Sequence, residues 1–371
     1  MSECEYYGIC GGCAPKIESN LEAKIKNASE LLGLQIFEVF SLESRGFRAR
    51  CELGIFHENS KLYLTMRKGK DFIKITHCPN LLPSIQNTLK ELIFILNQQE
   101  FSNFAHKLFA LEILSTQNQE TLITLIYHKS LTKDWEKMAL KLKNTLEASL
   151  PLTFHIIGRS KGIKLAVKQD FIIEKLEILN KTYFYRYDEG AFTQPNPKIN
   201  EKMIEWVLHN IKESKGDLLE MYCGCGNFTL PLSQKFSKVL ATEISKTSIK
   251  AAKFATQTNQ ISNIYFVRLS GLECIEAINK TREFKRLREI DLENFNFQSV
   301  LVDPPRAGLG ENVCKFLSQF NQIIYISCNI ASLKEDLEIL QKTHKIQKFA
   351  FFDQFPNTHH IESGVILNKI S

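Results

Sequence analysis

From Leu218 to its end the chain alternates short apolar runs with helix-like stretches. The runs are LLEMY, VLATEI, NIYFVRL, SVLVD, IIYISC, KFAFFDQF and GVILNKI. Strand and helix in strict turn admit few folds, and the simplest is a doubly wound, mostly parallel sheet whose closing pair of strands forms its edge. Ligands of such sheets sit beyond the carboxyl ends of the strands. Three runs end in unusual text there: Tyr222 to Asn227 (YCGCGN), Asp303 to Arg306 (DPPR) and Cys328-Asn329, with a lone acid, Glu362, near the end.

The first half has a different grammar. A Lys- and Glu-rich stretch continuing through ELLGL reads as a helix, RARCELGIF and KLYLTMR as hairpin strands, and residues 81–98 as a helix. Strands return in LFALEILST, ETLITLIYH and TFHIIGRSKGIKLAV, the last two separated by a helix over about 132–148. This is an α+β pattern with an antiparallel sheet. A chain of 371 residues exceeds the size at which one core keeps growing, so two domains are expected, 1–187 and 188–371. With 44% hydrophobic and 24% charged residues the chain should fold throughout. No apolar run approaches the roughly 20 residues that span a bilayer, and no basic-then-apolar leader opens the chain, so a cytoplasmic location is expected. In that compartment ten cysteines are thiols, catalytic groups or metal ligands before they are disulfides. A net charge of +6 permits a nucleic-acid partner without requiring one.

Gly224 and Gly226 let the backbone turn tightly after the first strand and approach a ligand. The third glycine of the dinucleotide pattern is replaced by Phe228, while Glu243 ends the next strand, where a carboxylate accepts from ribose hydroxyls. An adenosine-bearing cofactor without a pyrophosphate fits this better than NAD; the plain alternative is a tight turn and a surface glutamate. The prolines after Asp303 keep that loop from becoming helix. Loops of this kind in amino-methylating enzymes end in an aromatic, and Arg306 in its place argues against chemistry on an exocyclic amine.

Cys328 suits methylation of a carbon. Uracil C5 is a weak nucleophile until a thiolate adds at C6, and the C5 proton must then leave to a base, for which Glu362 in HHIESG is the candidate. A buried structural cysteine is the competing reading. His359 and His360 read as one hydrogen-bonding group and one surface group rather than as metal ligands.

In GAFTQPN, LLEMYCGCGNF, VLATEIS, REFKRL, VDPPRAGL, YISCN and FDQFPNTHH the chain closely resembles the RNA uracil-5-methyltransferase family, its tRNA branch above all. The resemblance implies a Rossmann-like S-adenosylmethionine-dependent methyltransferase domain with an amino-terminal α+β antiparallel-sheet RNA-binding domain. It implies Cys328 as nucleophile and Glu362 as base, with Gln194, Tyr222, Asn227, Glu243 and Asp303 around the cofactor, and Phe192 and Arg306 near the target base. It further implies a T-loop uridine of tRNA as substrate, with tmRNA as a second one, and a monomer. Where the family commonly has Asn in the glycine turn, this chain has Cys225.

Cys4, Cys10 and Cys13, spaced by five and two residues, and the distant Cys78 suit a 4Fe-4S iron-sulfur cluster, a structural zinc or unliganded thiols, with Cys51 an alternative fourth ligand. The motif resembles that of the 23S rRNA branch, so rRNA is the rival substrate; that no small β-barrel precedes the motif favours tRNA. A noncatalytic RNA-binding protein is the reading from another class. Arg45, Arg48 and Arg50 around Phe47, and Arg282, Lys285, Arg286 and Arg288 around Phe284, are candidate RNA-gripping patches or solvated charged faces. Nothing in the sequence places the cysteine motif near Cys328.

Overall fold

The computed structural model describes residues 4–15, 20–211 and 216–370. Residues 16–19, in the stretch expected to open the first helix, and residues 212–215 lie outside the described residues.

The carboxyl-terminal sheet has eight strands. From one edge they run Glu38–Phe40, His344–Phe352, Glu362–Lys369, Gln322–Ser327, Phe297–Val302, Asp217–Met221, Val239–Thr242 and Ile264–Val267. All neighbours are parallel except Glu362–Lys369, which is antiparallel to both of its partners. Chain order reverses between Asp217–Met221 and Phe297–Val302, and there the sheet opens a crevice beyond its strand ends. Strands buried on both faces need continuous apolar text, and Leu218, Leu219, Val300, Leu301, Ile323 and Ile324 are fully buried. The helix Ile330–Leu340 covers one face with Leu333, Leu337 and Leu340 at helical spacing, each such burial contributing about 1.5–3 kcal/mol.

The expected edge differs in one respect. The closing pair of strands is capped by Glu38–Phe40, which pairs in parallel with Ala350–Phe352. The helix Leu21–Leu32 also packs on this sheet, Ala28, Leu21, Ile25 and Leu32 joining the cluster of Leu333, Leu337, Phe349 and Phe351. Residues 21–40, read from the sequence with the first half, therefore lie on the second.

The other large sheet runs Asp71–Ile75, Lys61–Lys68, Arg50–Glu58, Leu108–Ser115, Glu120–Tyr127, Thr153–Ser160 and Ile163–Val167. It is antiparallel but for one pair, Glu120–Tyr127 with Thr153–Ser160. The helix Lys133–Ser149 between those two strands is a crossover, and a crossover returns the chain in the same direction. Its Trp135, Ala139, Leu142 and Leu146 join Ile85, Leu89 and Leu92 of the helix Pro83–Leu96 in one buried cluster with the sheet. A hairpin, Phe171–Ile178 with Lys181–Asp188, leads from this sheet to the helix Pro197–Asn210. Among the described residues no helix is long and apolar enough to cross a membrane.

Candidate active site

Strand register assembles the site. Met221 lies opposite Val302, and Val302 opposite Tyr325, so Tyr222 and Asp303 leave neighbouring strands at the switch point. Ser327 pairs with Ser363, which puts Cys328, just past the end of its strand, beside Glu362, the first residue of the neighbouring strand. Asn329, the amino-terminal cap of the following helix, donates from Nδ2 to the Arg306 carbonyl at 2.8 Å and so ties the Asp-Pro-Pro-Arg loop to the Cys328 turn.

These groups feel one another. Burial pushes the half-buried Cys328 thiol up to about 11, and the carboxylates of Glu362 and Asp303 add to this while Arg306 opposes it. Burial pushes Glu362 up to about 8, Asp303 raising it further and Arg306 lowering it. Asp303 is itself raised to about 7 by burial. The site thus holds a thiol and two acids that resist ionising, with the exposed Arg306 as the opposing charge. Two carboxyl groups poised near neutrality beside a cysteine are a chemical arrangement rather than a packing one.

On the cofactor side, Tyr222 has a left-handed backbone at φ 65°, as do Gly224 and Gly226. Gly226 is required: at φ 89° a Cβ there would stand 2.5 Å from Leu230 Cδ1. Glu243 accepts from the Gly224 amide at 3.1 Å and the Ser245 amide at 2.7 Å, bracing the turn from the adjacent strand. An open pocket of about 330 Å³ lies between Tyr222, Ser270–Leu272 and Leu309–Val313. Below the turn, Glu220 is buried and raised to about 8 by burial, with the Thr229 hydroxyl beside it lowering it and Asp303 raising it. The pocket thus opens beside Tyr222, where the glycine turn begins, with room for a small ligand beyond the strand ends.

The other expected residues are placed as follows. Gln194 is buried, and its Oε1 accepts from Gln354 Nε2 at 3.0 Å. Asn227 pairs its amide reciprocally with that of the buried Asn200, both bonds at 2.8 Å. Phe192 is 73% exposed on the loop after the hairpin, a large apolar ring standing in solvent. Arg50 donates to the Ala191 carbonyl at 2.7 Å, so that loop is held from the amino-terminal sheet. His359 and His360 are exposed.

Glu220, Gln354, Asn200 and Gly271 did not stand out in the sequence. Glu220 carries a readable signal, an acid inside an otherwise apolar strand. Gly271 becomes meaningful only in space, since a Cβ there would lie 2.3 Å from the Tyr222 hydroxyl. The proposed RNA patches fare differently from their text. Phe47 and Phe284 are buried, Arg282 and Arg286 lie over the Phe284 ring and pair with Glu276 and Glu273, and Arg48 bonds the Arg50 carbonyl.

The family model for tRNA (Uracil-5-)-methyltransferase matches residues 16–370. The chain belongs to that family. It is 48% identical over 374 residues to the tRNA/tmRNA (uracil-C(5))-methyltransferase of Wolinella succinogenes, covering 99% of each chain. It is 42% identical over 370 residues to the protein of that name from a Nitratiruptor species, covering 99% of this chain and 100% of the relative. Among solved structures it resembles the Pyrococcus abyssi tRNA (uracil-54, C5)-methyltransferase in complex with S-adenosyl-L-homocysteine, with a TM-score of 0.72 at 21% identity, over 94% of this chain and 82% of that one. The fold is therefore the Rossmann-like one expected, and the chain is a methyltransferase.

The amino-terminal cysteines are neighbours in space. The Cys13 thiol is raised by burial, with Cys10 and Cys4 contributing, and the Cys78 thiol is raised by burial, with Cys13, Cys10 and Cys4 contributing. Buried Cys51 lies below, pushed up to about 12 by burial and next by Cys78. Among the described residues no three His, Cys, Asp or Glu side chains converge as a ready metal-holding group. The donor set, four thiols of which three are half-exposed, nonetheless has the soft-ligand chemistry that iron-sulfur clusters and zinc take.

Proposed function

We propose that the protein methylates C5 of a uridine in the T loop of tRNA, and of the corresponding part of tmRNA, with Cys328 as nucleophile and Glu362 as base. The observation that carries this is that Cys328 and Glu362 both adjoin the Ser327–Ser363 pair of adjacent strands and feel each other's charge, beside Asp303 at the switch point. The names of the relatives, each a tRNA/tmRNA (uracil-C(5))-methyltransferase, support the substrate. S-adenosylmethionine supplies the methyl group, held by Gln194, Tyr222, Asn227, Glu243 and Asp303.

The chain's own residues do the rest. The target base leaves its stack, with Phe192 beside it at the entrance. The Cys328 thiol gives up its proton to solvent and the thiolate adds to C6, so the π pair of the C5–C6 bond becomes available at C5 to take the methyl group, with S-adenosylhomocysteine as the leaving group. Glu362, whose ionised fraction grows as pH rises towards 8, then takes the C5 proton as carboxylate, the C5–C6 double bond re-forms and the C6–S bond breaks, returning the thiolate. A thiol held near 11 is almost wholly protonated at neutral pH, so a positive charge arriving in the site, or Arg306 closing on it, is needed to free the thiolate.

We further propose that the protein is cytoplasmic and monomeric, that it works as two units divided near residue 187 with residues 21–40 belonging to the second, and that Cys4, Cys10, Cys13 and Cys78 hold a 4Fe-4S cluster. The proximity of Cys4 and Cys10 to the Cys13 and Cys78 thiols, which they help to raise, supports the last point. Iron and acid-labile sulfide in anaerobically purified protein, lost in Cys13→Ser, is the expected result, and zinc alone would refute it.

The deciding experiment is methyl transfer from labelled S-adenosylmethionine to unmodified tRNA and to 23S rRNA fragments in parallel, with mapping of the product. Methyluridine in the tRNA T loop is expected. Label confined to rRNA would refute the substrate, and unchanged transfer by Cys328→Ala would refute the nucleophile.

A further inference from the structure

Glu362 enters its strand from a loop, residues 353–361, that has no regular structure of its own. Connections between antiparallel neighbours are usually two to five residues long, so a loop of this length needs something to define it. Its holders come from the other end of the chain.

Lys24 lies on the helix Leu21–Leu32 and is 4% exposed. Its ammonium group donates to Asp353 Oδ1, to the Phe355 carbonyl at 3.2 Å and to the His360 carbonyl at 3.2 Å. All three donors are used, two on the outgoing arm of the loop and one on the returning arm, two residues before Glu362. A second clasp sits at the tip. Asn357, with φ 65°, donates from Nδ2 to the Ser44 carbonyl at 2.9 Å and to Asn80 Oδ1 at 3.1 Å, and its own carbonyl accepts from the Ala14 amide at 2.9 Å. Asn80 in turn donates to Cys13 Sγ at 3.3 Å. The cysteine segment, for which the sequence offers no link to Cys328, thus grips the loop that delivers Glu362.

A buried lysine paired with a buried aspartate adds little net stability against a well-packed apolar pair, and its frequent use is to fix one arrangement among several. Here the arrangement is the approach of a base to C5. We propose that Lys24 is a positioning residue for proton removal, pinning both arms of the Glu362 loop, with Asn357 as the second clasp. This rests on the reading of Glu362 as base. Methyl transfer precedes that step and uses Cys328, which sits on a different strand, so the two halves of the reaction should separate.

The test uses the full chain, labelled S-adenosylmethionine and a tRNA transcript tritiated at uridine C5. Three quantities are read: the burst of methyl transfer per enzyme, tritium release, and the denaturant-stable protein–RNA adduct. In Lys24→Met the burst is expected to stay within twofold of wild type, tritium release to fall at least tenfold and the methylated adduct to accumulate. Asn357→Gly, which keeps the left-handed backbone and loses only the side-chain bonds, should move the same way by a smaller factor, and it carries the test alone if Lys24→Met does not fold. Both rates falling together with the folded fraction, without adduct, would overturn the proposal. Glu362→Gln is the control. If it too fails to build adduct, the reading of Glu362 is wrong; if it builds adduct and neither clasp variant does, only the positioning role falls.

Discussion

Replacing Glu362 by Gln should stabilise the protein, and by an amount that depends on pH. The carboxyl group is buried beside Asp303 and titrates near 8 in the folded chain against an ordinary value of 4.5. The folded state therefore holds this proton more tightly than the unfolded state does. Stability is full below about 4.5, falls as pH rises, and stops falling above 8. Integrating the linkage gives a penalty of about 1 kcal/mol at pH 5, about 3 kcal/mol at pH 7 and about 5 kcal/mol at pH 9. Gln cannot ionise, so the variant escapes the penalty. Urea unfolding of wild type and Glu362→Gln at these three pH values measures the difference directly, and in melting temperature the step from pH 5 to 7 corresponds to roughly 3 °C for a chain of this length. The gap should widen by about 2 kcal/mol from pH 5 to 7. A gap that is flat with pH would mean that the carboxyl group is not held protonated, and the picture of crowded acids around Cys328 would fail with it.

Three other perturbations test neighbouring parts of the argument. Gln354→Leu leaves Gln194 Oε1 without its partner and should raise the KM for S-adenosylmethionine severalfold with a smaller change in kcat, read from initial rates. Gly226→Ala meets Leu230 and a backbone at φ 89°, and should cost on the order of 1–3 kcal/mol in urea unfolding together with cofactor affinity by calorimetry. Gly271→Ala pushes the Tyr222 ring aside without touching Cys328, so cofactor binding should weaken at least tenfold, by calorimetry, while the melting temperature shifts little.

The strand-end residues were readable because each stands where an apolar run stops: Tyr222, Glu243, Asp303 and Cys328. Alternation of strand and helix then brings them to one edge without any knowledge of contacts. Other features left weaker traces. A strand of three residues, Glu38–Phe40, is too short for a period, so its place on the second sheet could not be read. One parallel pair in the first sheet was hidden by pattern, because alternating strands look alike whichever way they run. Phe47 and Phe284 read as stacking groups between arginines, but the arginines cover buried rings with their own bulk. Lys24 is a charge on a charged helix, and only the carbonyls around it show that it is buried.

Pairing of Glu38–Phe40 with Ala350–Phe352 has a consequence for how the molecule is made. The first sheet draws all its strands from residues 50–167 and can close while the ribosome is still working on the remainder. The segment before it cannot, since its partner strand emerges roughly 300 residues later, which at ordinary elongation rates is a wait of about 15–60 s. Through that interval the apolar face of a charged helix and a short strand stay unsatisfied, and the Glu362 loop is not yet made. The nascent chain becomes an enzyme in a single late event, when its oldest and newest segments meet.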